Sequence, residues 1–170
     1  MKYLGCIAGV FAATVAAAET PELVVYTYDS FVSDWGPGPA VETAFEAECG
    51  CDLKFVGAGD GAALLARIKL EGARTEADVV LGLDTNLTAA AVETGLFATH
   101  GMSVDVDLPV TWEDEVFLPY DWGYFAFVHN KGFDAPSSFK ALVESDAKIL
   151  IQDPRSSTPG LGLLMWVKAA

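Results

Sequence analysis

The chain has 170 residues, 52% of them hydrophobic and 20% charged, enough for a packed core and too apolar for a disordered tail. Its net charge of −14 argues against a nucleic-acid partner, since phosphate binding needs Lys and Arg to displace counterions. Read by itself, the acidity is that of a solvated surface, compatible with a cationic ligand.

Residues 1–18 begin with Lys2, continue as an uncharged run from Tyr3 to Val15 and end in Ala16-Ala17-Ala18 before Glu19. That make-up predicts a cleaved secretory signal peptide, because the apolar run is shorter than the roughly 20 residues of a membrane-spanning helix. Cys6 falls inside it, too near the start for a lipoprotein cysteine.

Leu23–Tyr28 is an apolar, β-branched and aromatic run that predicts a buried strand. Asp29–Pro39 reads as a loop, its Gly-Pro alternation opposing regular structure. A helix over Ala40–Glu48, a strand over Leu53–Val56 and a helix over Ala62–Glu71, stopped by Gly72, follow. The third unit is a strand at Val79–Leu83 and a helix at Thr88–Thr94 ended by Gly95. Three strand–helix units in succession predict a parallel sheet with helices on its faces.

Beyond residue 99 the rhythm changes. Residues 99–115 read as irregular, Val116–Pro119 and Trp122–His129 as strands, and Pro136–Ser145 as a helix capped by Ser137 or Ser138. Lys148–Gln152 reads as a strand, Asp153–Gly160 as a turn and Leu161–Ala170 as the beginning of a helix.

Gly57-Ala58-Gly59-Asp60-Gly61-Ala62 fits the dinucleotide fingerprint G-x-G-x-x-G/A, with Asp78 and Asp84 some twenty residues on. An exported protein has no ready supply of NAD. The run is therefore read as a bend presenting helix N–H groups and Asp60 to another ligand. Ser156-Ser157-Thr158-Pro159-Gly160 is a strong helix start, and the same geometry can hold an anion. Tyr26, Tyr28, Asp29, Trp35, Asp84, Tyr120, Asp121, Trp122 and Tyr124 fall at or just beyond predicted strand ends, where open α/β sheets bind ligands. Rings and carboxylates together there suit a flat cation.

Cys49-Gly50-Cys51 is compatible with a disulfide, a metal pair or two thiols, with metal the poorest case because His100 and His129 stand at no ligand spacing. No Ser or Cys sits in an activating motif, so catalysis has little support and no cofactor is expected. Asn86-Leu87-Thr88 matches a glycosylation sequon but lies at a predicted helix start.

VYTYDSF (25–31), DWGPGPAVETAFE (34–46), ADVVLGLDTNL (77–87), PYDWGYFAFV (119–128) and QDPRSSTPGLGLLMW (152–166) resemble the periplasmic thiamine-binding proteins of bacterial ABC importers. The resemblance runs from about Leu23 to the last residue. It implies a two-lobed α/β binding protein that closes over thiamine, its monophosphate or its diphosphate and delivers it to an inner-membrane permease. It implies that Asp60 and Gly61 contact the ligand and that Ser157 and Thr158 receive its phosphate end; strand-end placement adds Tyr28, Asp84 and Asp121. Residues 19–128 are then the first lobe and 129–170 the opening of a second, truncated one, in a chain roughly half the family's length. Such a chain is expected to bind thiamine weakly or not at all, since a closing cleft needs both jaws. The competing readings are a binding protein for ferric ion or a polyamine on the same fold, and an exported enzyme.

Overall fold

A computed structural model describes residues 20–170, so the expected signal peptide and Cys6 lie outside the described residues. The order is β1 (Glu22–Thr27), α1 (Asp29–Val32), α2 (Gly38–Cys49), β2 (Asp52–Gly57), α3 (Gly61–Glu71), a 3-10 turn (Gly72–Arg74), β3 (Val79–Val80), α4 (Thr88–Val92), α5 (Phe139–Val143) and α6 (Thr158–Ala169). The three strands form one parallel sheet in the order β2-β1-β3, with Leu23 opposite Leu53 and Val25 between Phe55 and Val79.

Side chains alternate across β1, which gives the sheet two apolar faces. Val24 and Tyr26 pack with Leu64 and Ile68 of α3, and a neighbouring cluster of Leu65, Leu87 and Ala91 takes in Phe117 and Leu161. Elsewhere, buried Phe31 meets the rings of Tyr28, Phe55 and Tyr120 edge-on at 5.6, 5.2 and 5.9 Å. Tyr26 is thus a core residue rather than a strand-end ring. Its hydroxyl accepts from Arg67 Nη2 at 3.2 Å, and the guanidinium lies 4.2 Å from its ring centroid.

The first half follows the sequence reading, with three corrections. The expected loop 29–39 contains α1, and α2 begins at Gly38 because Pro39 is favourable in a first helical turn. The third strand shrinks to two residues, because Gly82 turns the chain away at φ 108°. The helix expected over Thr88–Thr94 ends at Val92.

The second half departs further. Val116–Pro119, Trp122–His129 and Lys148–Gln152 carry strand-forming residues but are not strands, since they have no ladder partner among the described residues. Val128 is 95% exposed and Leu150 fully so, as unpaired segments of sheet-forming composition must be. The helix expected over Pro136–Ser145 shortens to α5, with Ser138 Oγ accepting from Ala141 N at 3.1 Å. α6 starts three residues before the expected Leu161, with Ser157 as its cap. No helix among the described residues is long and apolar enough to cross a membrane.

Candidate functional site at the strand ends

Parallel strands all deliver their carboxyl ends to one edge of a sheet, and here that edge carries Thr27-Tyr28, Gly57–Asp60 and the turn after β3. Asp29 ties the first two together: its backbone N–H donates to Gly59 O at 2.8 Å, and its Oδ1 accepts from Gly59 N at 2.9 Å. Gly59 holds φ 87°, a conformation that costs a residue with a Cβ.

The bend places Asp60 at the N-terminus of α3, where Oδ1 accepts from Gly61 N at 2.9 Å. The other oxygen, Oδ2, accepts from the backbone N–H of Thr158 at 2.9 Å. One carboxylate therefore bridges the starts of α3 and α6, both positive ends of helix dipoles. Gly61 permits the approach, since a Cβ there would stand 2.8 Å from Thr158 Oγ1, 3.1 Å from Gly82 O and 3.2 Å from Leu87 Cδ1. The glycine-rich motif thus serves the packing of two helix starts, with no pyrophosphate needed to explain it.

Ser157 is buried and faces inward. Its hydroxyl donates to Gln152 Oε1, and Oγ accepts from Gly160 N at 3.4 Å. Leu161 N donates to Ser157 O at 3.0 Å, and Pro159 has no N–H to offer. The first turn of α6 is thus satisfied from within: the helix cap is made, and Asp60 already occupies the place an anion would take.

Tyr28 stands between these groups. Gly82 lies so close that a Cβ there would overlap the Tyr28 ring. Burial holds the Tyr28 phenol above its ordinary value near 10, helped by the negative charge of Asp121, by Tyr120 and by Asp60. The hydroxyl is therefore a proton donor at neutral pH. Asp84 Oδ1 accepts from Asn86 N at 2.7 Å, while Oδ2 is buried without a hydrogen-bond partner among the described residues. An unpaired buried carboxylate oxygen is costly and favours a donor or cation beside it.

The structure brings Tyr28, Asp60, Gly61, Ser157 and Thr158 into one group, joined to the β3 turn through Gly82 and Leu87, with Asp84 in that turn and Asp121 close enough to act on Tyr28. Trp122 and Tyr124 stack edge to face at 5.5 Å and are exposed, as is Trp35. Sequence reasoning missed Thr27, whose fully buried hydroxyl has no partner among the described residues, and Gln152, which orients Ser157. A polar residue closing an apolar strand was the available signal for Thr27. A depression of about 430 Å³ beside Arg67 and Glu71 is lined by Tyr26 but by none of Tyr28, Asp60, Gly61, Asp84, Asp121, Ser157 and Thr158. In the sequon, Asn86 is exposed just before α4, while Leu87 at its centre is buried.

No family model matches the chain. Over 168 residues it is 54% identical to the thiamine-binding periplasmic protein of Escherichia coli (strain K12), an alignment covering 96% of this chain and 49% of that one. The thiamine-binding periplasmic protein of Haemophilus influenzae is 44% identical over 162 residues, covering 92% and 49%. A solved periplasmic thiamin binding protein superposes with a TM-score of 0.84 at 53% identity, over 91% of this chain and 50% of that chain. The likeness is to periplasmic thiamine-binding proteins. It bears out the family resemblance and the α/β fold with a parallel sheet. The chain spans about half the length of the curated relatives it matches. Those relatives are named as binding proteins rather than enzymes.

Proposed function

We propose that this chain acts in the periplasm as the solute-binding part of a thiamine importer, supplies one wall of the vitamin's site and hands its ligand to an inner-membrane permease. The observation that carries the reading is the meeting of carboxylates and rings at one sheet edge: Asp60 across two helix starts, Asp84 with an unpaired oxygen, and Asp121 beside Tyr28. Thiamine joins a cationic thiazolium ring to an aminopyrimidine. A ring face suits the former, and a carboxylate accepting from an amino group suits the latter.

The same geometry ranks the ligands. A phosphate approaching Thr158 meets the negative charge of Asp60 and finds the first N–H groups of α6 already bonded. The reading therefore favours thiamine over its monophosphate and diphosphate. A polyamine shares the cationic character but not the flat ring, so it would leave the exposed aromatic side chains unused.

Calorimetry on the purified chain tests this. Saturable thiamine binding weaker than micromolar is expected, with Asp84→Asn weakening it about tenfold through the loss of a charge-assisted hydrogen bond. Thiamine diphosphate is expected to bind less well. No saturable response to millimolar thiamine, or equal binding of spermidine, would overturn the reading. Submicromolar binding would overturn the expectation that one wall holds the ligand only weakly.

A further inference from the structure

Cys49 and Cys51 are joined in a disulfide at the junction of α2 and β2. The junction lies at the amino ends of the strands. The strand-end group is separated from it by the length of β2, about 17–20 Å at roughly 3.3 Å per residue. Cys49 is exposed, Cys51 is partly so, and a single glycine separates them, so the bond closes the smallest of loops on an open surface.

The turn is held without the sulfurs. Gly50 takes a left-handed conformation at φ 62°, and its N–H caps α2 by donating to Glu46 O at 3.2 Å. The Glu46 carboxylate accepts from Leu53 N at 2.9 Å, and Asp52 N donates to Pro21 O at 2.8 Å, where the β1–β2 ladder starts. These three hydrogen bonds keep the two sulfurs adjacent whether or not they are bonded. A disulfide closing so short a loop removes little entropy from the unfolded chain. Its loss therefore costs the fold little, and its re-formation needs no search.

We propose that Cys49–Cys51 is a reversible thiol–disulfide exchange site, with a dithiol as reductant and a disulfide as oxidant. A thiolate of the dithiol attacks one sulfur, the S–S bond breaks, and the electron pair leaves on the other sulfur, which takes a proton from water. Cys51 N already donates to Cys49 Sγ at 3.1 Å, so a thiolate leaving on Cys49 has a hydrogen bond waiting. The second thiolate of the dithiol then displaces the protein sulfur. The protein gains two electrons and two protons as a dithiol, and the partner departs as a disulfide. Re-oxidation is the same exchange run backwards against a small disulfide.

The experiment exposes the full native chain to millimolar dithiothreitol, then to glutathione disulfide, without denaturant. Alkylation and peptide mass spectrometry follow the 49–51 pair separately from Cys6. The expected result is complete reduction at a rate within about tenfold of the same chain in urea, full re-oxidation, and an unchanged circular dichroism spectrum throughout. A second arm makes Cys49→Ser/Cys51→Ser, expected to fold with a melting temperature within a few degrees of the parent. Resistance to reduction until urea is added would overturn the proposal, because the bond would then be closed to thiols. Loss of structure on reduction, or a double variant that does not fold, would also overturn it by making the bond a structural staple.

Discussion

The backbone N–H of Thr158 donates to Oδ2 of Asp60 at 2.9 Å across a separation of 98 residues, while Oδ1 of the same carboxylate caps α3. One side chain thus completes one helix and holds the start of another. This contact docks α6 at the carboxyl edge of the sheet, helped by Leu161 on the cluster of Leu65, Leu87 and Ala91.

Asp60→Ala is expected to destabilise the chain by about 2–3 kcal/mol, from a lost cap of about 1 kcal/mol and an N–H of Thr158 left without its acceptor. Asp60→Asn keeps an acceptor oxygen and is expected to lose roughly half as much. Urea unfolding of the three proteins measures this. Equal stability of Asp60→Ala and the parent would show that the bridge contributes nothing.

Gly82→Ala is expected to be among the most damaging small substitutions. Its φ of 108° disfavours any Cβ, and the added atom would lie 2.3 Å from Tyr28 Cδ1. A loss of about 2–4 kcal/mol is expected, relieved in part by Tyr28→Ala, which vacates the space. A thermal melt of the single and double variants reads this coupling.

The Tyr28 phenol titrates above its ordinary value, chiefly through burial and then through Asp121. Because the folded value is raised, the corresponding stability is complete below pH 10 and is lost as pH climbs through the folded value. Asp121→Asn is expected to move the titration downward without restoring it fully, since burial remains. Ultraviolet difference titration of the tyrosinate band follows it, with Tyr28→Phe identifying the transition. An unmoved midpoint would remove Asp121 from the neighbourhood of Tyr28.

Arg155 holds the Asp153 carboxyl down at about 2 through side-chain hydrogen bonds, aided by its backbone N–H. The depressed value means that any stabilisation is present above pH 3.8 and disappears as pH falls toward 2. Carboxyl NMR titration is expected to show the low midpoint and its return toward 3.8 in Arg155→Ala. The pair is exposed, so its effect on the melting temperature is expected to be small.

Local pattern was enough for most of the first half of the fold, α1 inside the expected loop 29–39 being the element it missed. The apolar run at Leu23–Tyr28, the glycine stop at Gly72, the glycine-rich bend before α3 and the helix start at Ser157 each act within one turn or strand. The same locality misled after residue 116. Trp122–His129 has the residues of a strand, but a strand exists only through a neighbour's ladder, which no single segment encodes. The candidate site divides similarly. The sequence placed Asp60, Asp84 and Tyr28 at strand ends, and it marked Ser157 as a helix cap.

Composition and periodicity by themselves determined the acidic α/β character and the parallel strand–helix succession. Tertiary structure alone decided that Asp60 faces α6 as well as α3, that Ser157 turns inward to Gln152, and that Cys49 and Cys51 are bonded on an open surface. The physical reason is that hydrogen bonding is satisfied over the whole fold. A helix start signals that N–H groups need acceptors, but only the folded chain shows whether a ligand or a distant carboxylate supplies them.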